Sequence, residues 1–259
     1  MSIVPITITS EVSGVSGRKV PKSAWDQAVA SLAANPSILL HAWTGFSSVG
    51  GAAPIDRVVG NATLLNGGAS IVADDVEFGH TSVDVETGAG ASVQIQAGDT
   101  VLPSSYTMGC VFAPKDVTGI FLGLGTVPYG IRCDLTSTEL RANSDLVSPT
   151  RATTSKSALN FEDPNVLIVS IDNVNYEVAL YINSTTPIVA SGGASNFPTL
   201  TNLNRINFGC GGATGADGSD AKFAGGFFAG EALYASAAGR SRAHRLIEAA
   251  AATYGIVLT

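Results

Sequence analysis

Residues Asn165–Asn183 read NVLIVSIDNVNYEVALYIN, and a stretch of this kind leaves few folds open. Val166, Leu167, Ile168, Val169 and Ile171 form an apolar run rich in β-branched residues. Tyr176, Val178, Leu180 and Ile182 recur at every second position, the period at which strand side chains share a face. Asp172-Asn173-Val174-Asn175 supplies the short polar residues that accept turn geometry. The stretch predicts two neighbouring antiparallel strands, unbroken by a bulge, with Tyr176, Val178, Leu180 and Ile182 together on the buried side.

The rest of the chain can be placed around this hairpin. From Ile38 onward short apolar runs alternate with Gly, Asn and Asp, the pattern of an antiparallel sandwich or barrel. Strands are expected at Ile38–Trp43, Ala69–Val72, Thr81–Val85, Ser92–Ile95, Ser105–Phe112, Gly119–Leu124, Tyr129–Asp134, Glu139–Ala142, Ile188–Ala190, Arg205–Cys210 and Ala224–Tyr234. No fixed period relates them, which excludes a propeller or solenoid. Ala243, Leu246, Ile247, Ala250 and Tyr254 then recur at helical spacing, and Gly255 ends the run.

Residues 1–36 differ in kind, and the chain divides into this arm and a domain at 37–259. Ile3, Val4, Ile6 and Ile8 lie in a short strand whose Pro5 favours an edge or pairing with another chain. A Gly/Ser-rich joint follows, then a helix with Ser23 as N-cap and Trp25, Val29 and Leu32 on one face, stopped at Asn35-Pro36. The expectation is an anchoring or assembly segment, with Ile3, Val4, Ile6, Ile8 and Trp25 facing other subunits.

A net charge of −7 leaves no basic surplus to release counterions from phosphate, which argues against nucleic acid as a partner. Only 14% of residues are charged, a composition suited to a protein that lives among other subunits. Cys110, Cys133 and Cys210 are odd in number, lack CxxC spacing and lie in apolar stretches, so buried free thiols are expected, as in a reducing cytoplasm. No basic-then-apolar leader and no apolar run of roughly 18 residues occurs, so neither a signal peptide nor a membrane span is expected.

The order of the pieces resembles a known family. SILLHAW, then GNATLLNGGASIV, then FGHTSVDVETGAGASVQI is similar to the opening of laminin-G-like (concanavalin A-like) domains. SSYTMGCVFAP, the hairpin NYEVALYINSTTPIVAS and the ending FAGGFFAGEALYASAAGRSRAHRLIEAAAATYGI continue the likeness from about Ile38 to the last helix. The resemblance implies an all-β jelly-roll sandwich of two antiparallel sheets with a short C-terminal helix, of the kind found in bacteriophage structural proteins. Such domains bind glycans, bind proteins or form rigid surface modules, and a minority hydrolyse glucans, so fold does not choose among them.

Hydrolytic relatives carry Glu-x-Asp-x-Glu on one strand, because a retaining mechanism needs two carboxylates facing one bond. The matching run here is Ser82-Val83-Asp84-Val85-Glu86, which lacks the first carboxylate, and Gly-x-Ser-x-Gly is absent. No catalytic residue is expected. Asp217 and Asp220, in the Gly-rich loop GCGGATGADGSD, read either as part of a calcium shell or as turn formers, and Asp74-Asp75 has the same ambiguity. Asn173, Asn175 and Asp217 are candidates for holding sugar hydroxyls, while the aromatics Trp43, Tyr129 and Phe197 read as stacking platforms or as core.

Where relatives place acids at the start of the last helix, this chain has Gly239-Arg240-Ser241-Arg242, with Arg245 a turn later. Arginine there forgoes the favourable interaction of an acid with the helix dipole. Two readings stand: a well-hydrated exposed cluster, or a contact with an acidic neighbour or anion through the planar guanidinium fork. Together these features point to a non-enzymatic bacteriophage virion protein, a capsid decoration, fibre or tail component made in the host cytoplasm. Its partners would be other virion subunits, in a homo-oligomer, and a host-surface glycan, with no cofactor unless calcium is bound. The alternatives are a stand-alone lectin-like adhesin and a degenerate glycoside hydrolase.

Overall fold

The computed structural model describes residues 23–32, 39–44, 53–56, 58–60, 63–86, 91–100, 103–115, 118–124, 132–144, 149–197, 203–209 and 218–259. Along the chain these form α1 (Ala24–Leu32), β1 (Leu39–Thr44), β2 (Leu64–Asn66), β3 (Ser70–Asp75), β4 (His80–Val85), β5 (Ser92–Thr100), β6 (Ser105–Pro114) and β7 (Gly119–Leu124). There follow β8 (Arg132–Leu135), β9 (Glu139–Asn143), β10 (Arg151–Ser155), β11 (Asn165–Asp172), β12 (Glu177–Ile182), β13 (Ile188–Ser191), β14 (Leu203–Phe208), β15 (Ala221–Ala229) and α2 (Ala237–Tyr254).

The strands make two antiparallel sheets facing each other, a jelly-roll sandwich. One has eight strands in the order β13-β12-β11-β6-β15-β4-β3, with β1 on β15 beyond the end of β4. The other has seven, in the order β10-β9-β8-β7-β14-β5-β2. Between them, alternate residues interdigitate: Leu167, Val169 and Ile171 from β11, Val178, Leu180 and Ile182 from β12, and Phe208, Val93 and Leu140 from the opposite sheet. Rings anchor this core, with Phe112 and Phe121 at 4.6 Å between centroids and Trp43 edge-on to Phe208 at 5.6 Å.

The hairpin forms as its sequence dictates, with Val169 opposite Leu180 and Ile171 opposite Val178 in unbroken register. One detail is corrected. Tyr176 is not a strand residue but closes the turn at φ 57°, half-buried against the Phe197 ring at 5.7 Å. The cause is Asp172, whose carboxylate accepts the Val174 N–H at 2.9 Å and the Asn175 side-chain amide at 2.7 Å, curling residues 173–176 into the turn.

A second core lies outside the eight-stranded sheet. Val166 and Ile168 of β11 and Ala179 and Tyr181 of β12 point away from the sandwich and are covered by helices. In α2, Ala243, Leu246, Ile247 and Ala250 face the sheet; the Ser236 side chain caps the Gly239 N–H at 2.9 Å, and Gly255 ends the helix at φ 69°. In α1, Ser23 accepts the Asp26 N–H at 3.0 Å, as expected, and Trp25, Val29 and Leu32 enter the same layer. The backbone N–H of Trp25 donates to the Thr253 hydroxyl at 3.1 Å, which ties the two helices.

Three element expectations change. The last strand ends at Ala229 rather than Tyr234, because the Thr107 hydroxyl donates to the Glu231 carbonyl at 2.8 Å and accepts the Leu233 N–H at 3.0 Å, turning the chain toward the Ser236 cap. Strands β2, only three residues long, and β10, with Ala152 as its one apolar residue, are not among the expected strands; they form by pairing with β5 and β9. The expected strand at Tyr129–Asp134 is described only from Arg132.

Candidate functional site

Helices seal the eight-stranded sheet, so among the described residues the outer face of the seven-stranded sheet is where side chains stand on strands without a helical cover. Period two puts Cys133, Leu135, Leu140, Ala142 and Ala152 into the core, so Arg132, Asp134, Arg141, Asn143, Arg151 and Thr153 must point the other way. Register aligns them across the sheet. One row runs Gln94, Asn207, Gly123, Arg132, Asn143, Arg151 over β5, β14, β7, β8, β9 and β10. The neighbouring rows carry Gln96 beside Arg205, and Asp134, Arg141 and Thr153.

These side chains are knitted by hydrogen bonds. Gln94 Nε2 donates to Asn207 Oδ1 at 2.8 Å. The Asp134 carboxylate, almost wholly buried, accepts from Asn143 Nδ2 at 2.5 Å and from Arg141 Nε at 3.1 Å, with a second, shorter contact from Arg141 Nη2. Arg151 Nε donates to Asn143 Oδ1 at 3.0 Å. Arg132 is left over: its Nε lies 3.7 Å from Asp134 and makes no hydrogen bond, and Asn207 Nδ2, enclosed two strands away, makes none either. Gly123 stands between them without a side chain. The arrangement is a rigid polar platform whose amides and Asp134 are buried, while the guanidinium groups of Arg132, Arg141 and Arg151 reach solvent and suit anionic oxygens.

The residues singled out from sequence are dispersed. Trp25 is corrected as an interface residue: it is fully buried between α1, α2 and β15, its ring 6.1 Å from Phe227, so it cannot face another subunit. Ile3, Val4, Ile6, Ile8 and Asp217 lie outside the described residues. Arg240 is exposed and donates to the Tyr234 carbonyl at 2.8 Å. Arg242 is paired with Glu231 through Nε at 2.9 Å and through Nη2, within its own chain, while Arg245 is exposed.

Asn175 is engaged in the Asp172 turn, and the Asn173 backbone N–H donates to the Ser105 hydroxyl at 3.2 Å; this turn lies on the helix-covered sheet. Asp220 stands 3.6 Å from Lys115 Nζ, which also holds Asp84 at 2.6 Å, so its described neighbour is a cation of the chain itself. Asp75 accepts from Ser82 and the Glu77 N–H and lies 3.4 Å from Lys222, whereas Asp74 is exposed at φ 50°. Among the described residues no group of three or more His, Cys, Asp or Glu side chains could hold a metal ion. Of the aromatics, Trp43 and Phe197 are core, and Tyr129 lies outside the described residues.

Two histidines are buried. His41 Nδ1 meets Asp56 Oδ2 at 2.7 Å, and Asp56 also accepts the Ala42 and Val58 N–H groups, pinning the segment around Asp56 to β1. His80 bridges Tyr254 at 3.1 Å and the Thr81 carbonyl at 2.7 Å; burial lowers its pKa against the opposing pull of that carbonyl and of Asp26 and Asp75. Beside Tyr254 an open cleft of about 540 Å³ is lined by Val76, Glu77, Asn160, Asp163 and Val257. The polar platform is the site that reading the sequence misses. Its signal is the alternation Arg132-Cys-Asp-Leu and Leu140-Arg-Ala-Asn, legible as strands but silent about which face the helices leave.

No family profile and no curated protein matches the chain. Solved structures do. The botulinum neurotoxin serotype D binding domain superposes with a TM-score of 0.62 at 10% identity, over 85% of this chain and 52% of that one. The receptor binding domain of the botulinum neurotoxin C/D mosaic serotype gives 0.61 at 9% identity, over 83% and 51%. The binding domain of botulinum neurotoxin DC in complex with SialylT gives 0.57 at 10% identity, over 83% and 52%. The chain therefore spans about half the length of these structures, and the likeness shows the jelly-roll fold.

Proposed function

We propose that this chain is a non-enzymatic glycan-binding module whose ligand lies on the outer face of the seven-stranded sheet. The observation that carries the reading is the contrast between the two sheets: one is covered by helices, while the other, with no helix over it among the described residues, carries Arg132, Arg141 and Arg151 on adjoining strands. Strands hold such groups more rigidly than loops do, so ordering on binding costs little. Structural neighbours named as binding domains, one of them in complex with SialylT, support adhesion as the use of this fold. The retaining-hydrolase pattern finds no support on β4. There Asp84 is held by Lys115, and Ser82, standing where a nucleophilic carboxylate is required, donates its hydroxyl to Asp75 at 2.5 Å.

For its setting we keep the virion reading, a bacteriophage capsid, fibre or tail component. Two buried free thiols, Cys110 and Cys133, and the small charged fraction support it. A glycan array probed with the full chain tests the binding reading. Binding to a defined set of glycans at micromolar affinity, with no reducing sugar released, is expected. An array without hits, or sugar release abolished by Glu86→Gln, would overturn it.

A further inference from the structure

The outer face of the seven-stranded sheet runs against the charge of the whole protein. Its described outward side chains include Arg132, Arg141, Arg151 and Arg205 against Asp134 and Glu139, four positive charges against two negative, on a chain of net charge −7. Solubility does not call for a cationic face on an acidic protein. A local surplus of this sign attracts anions.

The guanidinium groups are also unequally used. Arg141 is committed to Asp134, whose carboxylate is already held by Arg141 and Asn143. Arg151 gives its Nε to Asn143 and is exposed on the edge strand of the sheet. Arg132 has an Nε without a hydrogen bond although that atom is buried. Arg132 and Arg151 stand two strands apart in one row, roughly 10 Å at the usual strand spacing. Asn143 between them, and Asn207 and Gln94 beyond the gap at Gly123, are buried and brace the row from within, so the two arginines are what it offers to solvent.

We infer that this face binds an acidic polysaccharide, its carboxylates taken by Arg132 and Arg151. The inference rests on the glycan-binding reading and adds the charge of the ligand. A planar guanidinium matches a carboxylate in two parallel hydrogen bonds, and an uncharged sugar leaves that fork unanswered. Two arginines set two strands apart suit a repeating ligand, because one chain brings a carboxylate to each.

The test measures binding of the full chain to immobilised polygalacturonate, dextran and dextran sulfate. Polygalacturonate is expected to bind, and to weaken steeply as salt is raised from about 50 to about 300 mM. The double variant Arg132→Gln/Arg151→Gln is expected to lose binding by at least roughly tenfold, with Arg132→Lys/Arg151→Lys in between because it keeps charge and loses the fork. Circular dichroism and melting of each variant establish that it is folded. Dextran bound as well as polygalacturonate would overturn the charge inference and leave the glycan-binding reading standing; no binding to any glycan would overturn both. Dextran sulfate bound as tightly as polygalacturonate, and unchanged in the glutamine variant, would show a general polyanion effect and overturn the assignment to Arg132 and Arg151.

Discussion

The ring of Trp25, in the first helix, lies 6.1 Å from that of Phe227, in the last strand, at an interplanar angle of 54°. Phe227 leans over Gly109 of the neighbouring strand, where an added Cβ would fall 2.4 Å from the ring. The indole thus closes a layer made possible by a missing side chain beneath it. Replacing Trp25 with Ala is expected to destabilise the fold by about 3–5 kcal/mol. Chemical denaturation of the variant measures this, and a cost under about 1 kcal/mol would contradict the burial. Deletion of residues 1–36 removes the same docking, so loss of assembly in that truncation has to be separated from loss of fold.

Gly239 sits in the first turn of α2, where an added Cβ would meet the Leu233 carbonyl oxygen at 2.3 Å. Helix propensity alone favours alanine by about 1 kcal/mol. A backbone carbonyl cannot yield as a flexible side chain does, so the clash wins and Gly239→Ala is expected to lower the melting temperature. A rise would show that the Leu233 backbone moves freely.

Asp172 is partly desolvated, which raises its pKa, but the hydrogen bonds from Asn175, Val174 and Ser105 outweigh this and hold the carboxyl below its ordinary value of 3.8. The folded state therefore takes up the proton less readily than the unfolded chain. Its stabilising contribution is present in full above about pH 4 and is lost as pH falls through the folded value. Denaturation midpoints below about pH 4 are expected to fall less steeply in Asp172→Asn than in the parent chain.

His80 follows the same sign for a different reason. Burial disfavours its charged form and lowers the pKa from 6.5, so its contribution is whole above that value and is lost as pH falls through the folded one. An imidazole titration followed by NMR is expected to place His80 below the ordinary histidine value. A midpoint above 6.5 would mean that the Thr81 carbonyl, Asp26 and Asp75 dominate instead.

Cys110 and Cys133 are fully buried, and desolvation pushes both thiols well up from their ordinary pKa. Neither should react with an aromatic disulfide reagent until the protein unfolds. Mass mapping of the modified peptides checks this, and labelling of either residue in native protein would show that the core opens.

Much of the fold was legible. Val178, Leu180 and Ile182 announced their strand by period, Ser23 and Gly255 announced helix ends, and Ala243, Leu246, Ile247 and Ala250 announced a buried helical face. The polar face of the seven-stranded sheet was less so. Arg132, Arg141 and Arg151 lie in three separate short strands, and nothing local says that register will bring them side by side. Arg240 and Arg242 stood out instead because they are close in sequence, yet Arg242 is paired with Glu231 of its own chain.

By itself the sequence determined which residues alternate, where helices begin and stop, and that an antiparallel sandwich would result, because these follow from local geometry and from burying one set of alternate side chains. Only the tertiary structure decided that both faces of the Asn165–Asn183 hairpin are buried. Ala179 and Tyr181 look outward-facing along their strand, but α1 and α2, from opposite ends of the sequence, close over the sheet and cover them. That choice of which sheet to cover is made by long-range packing, and among the described residues it left the arginine-bearing face of the other sheet without a helix over it.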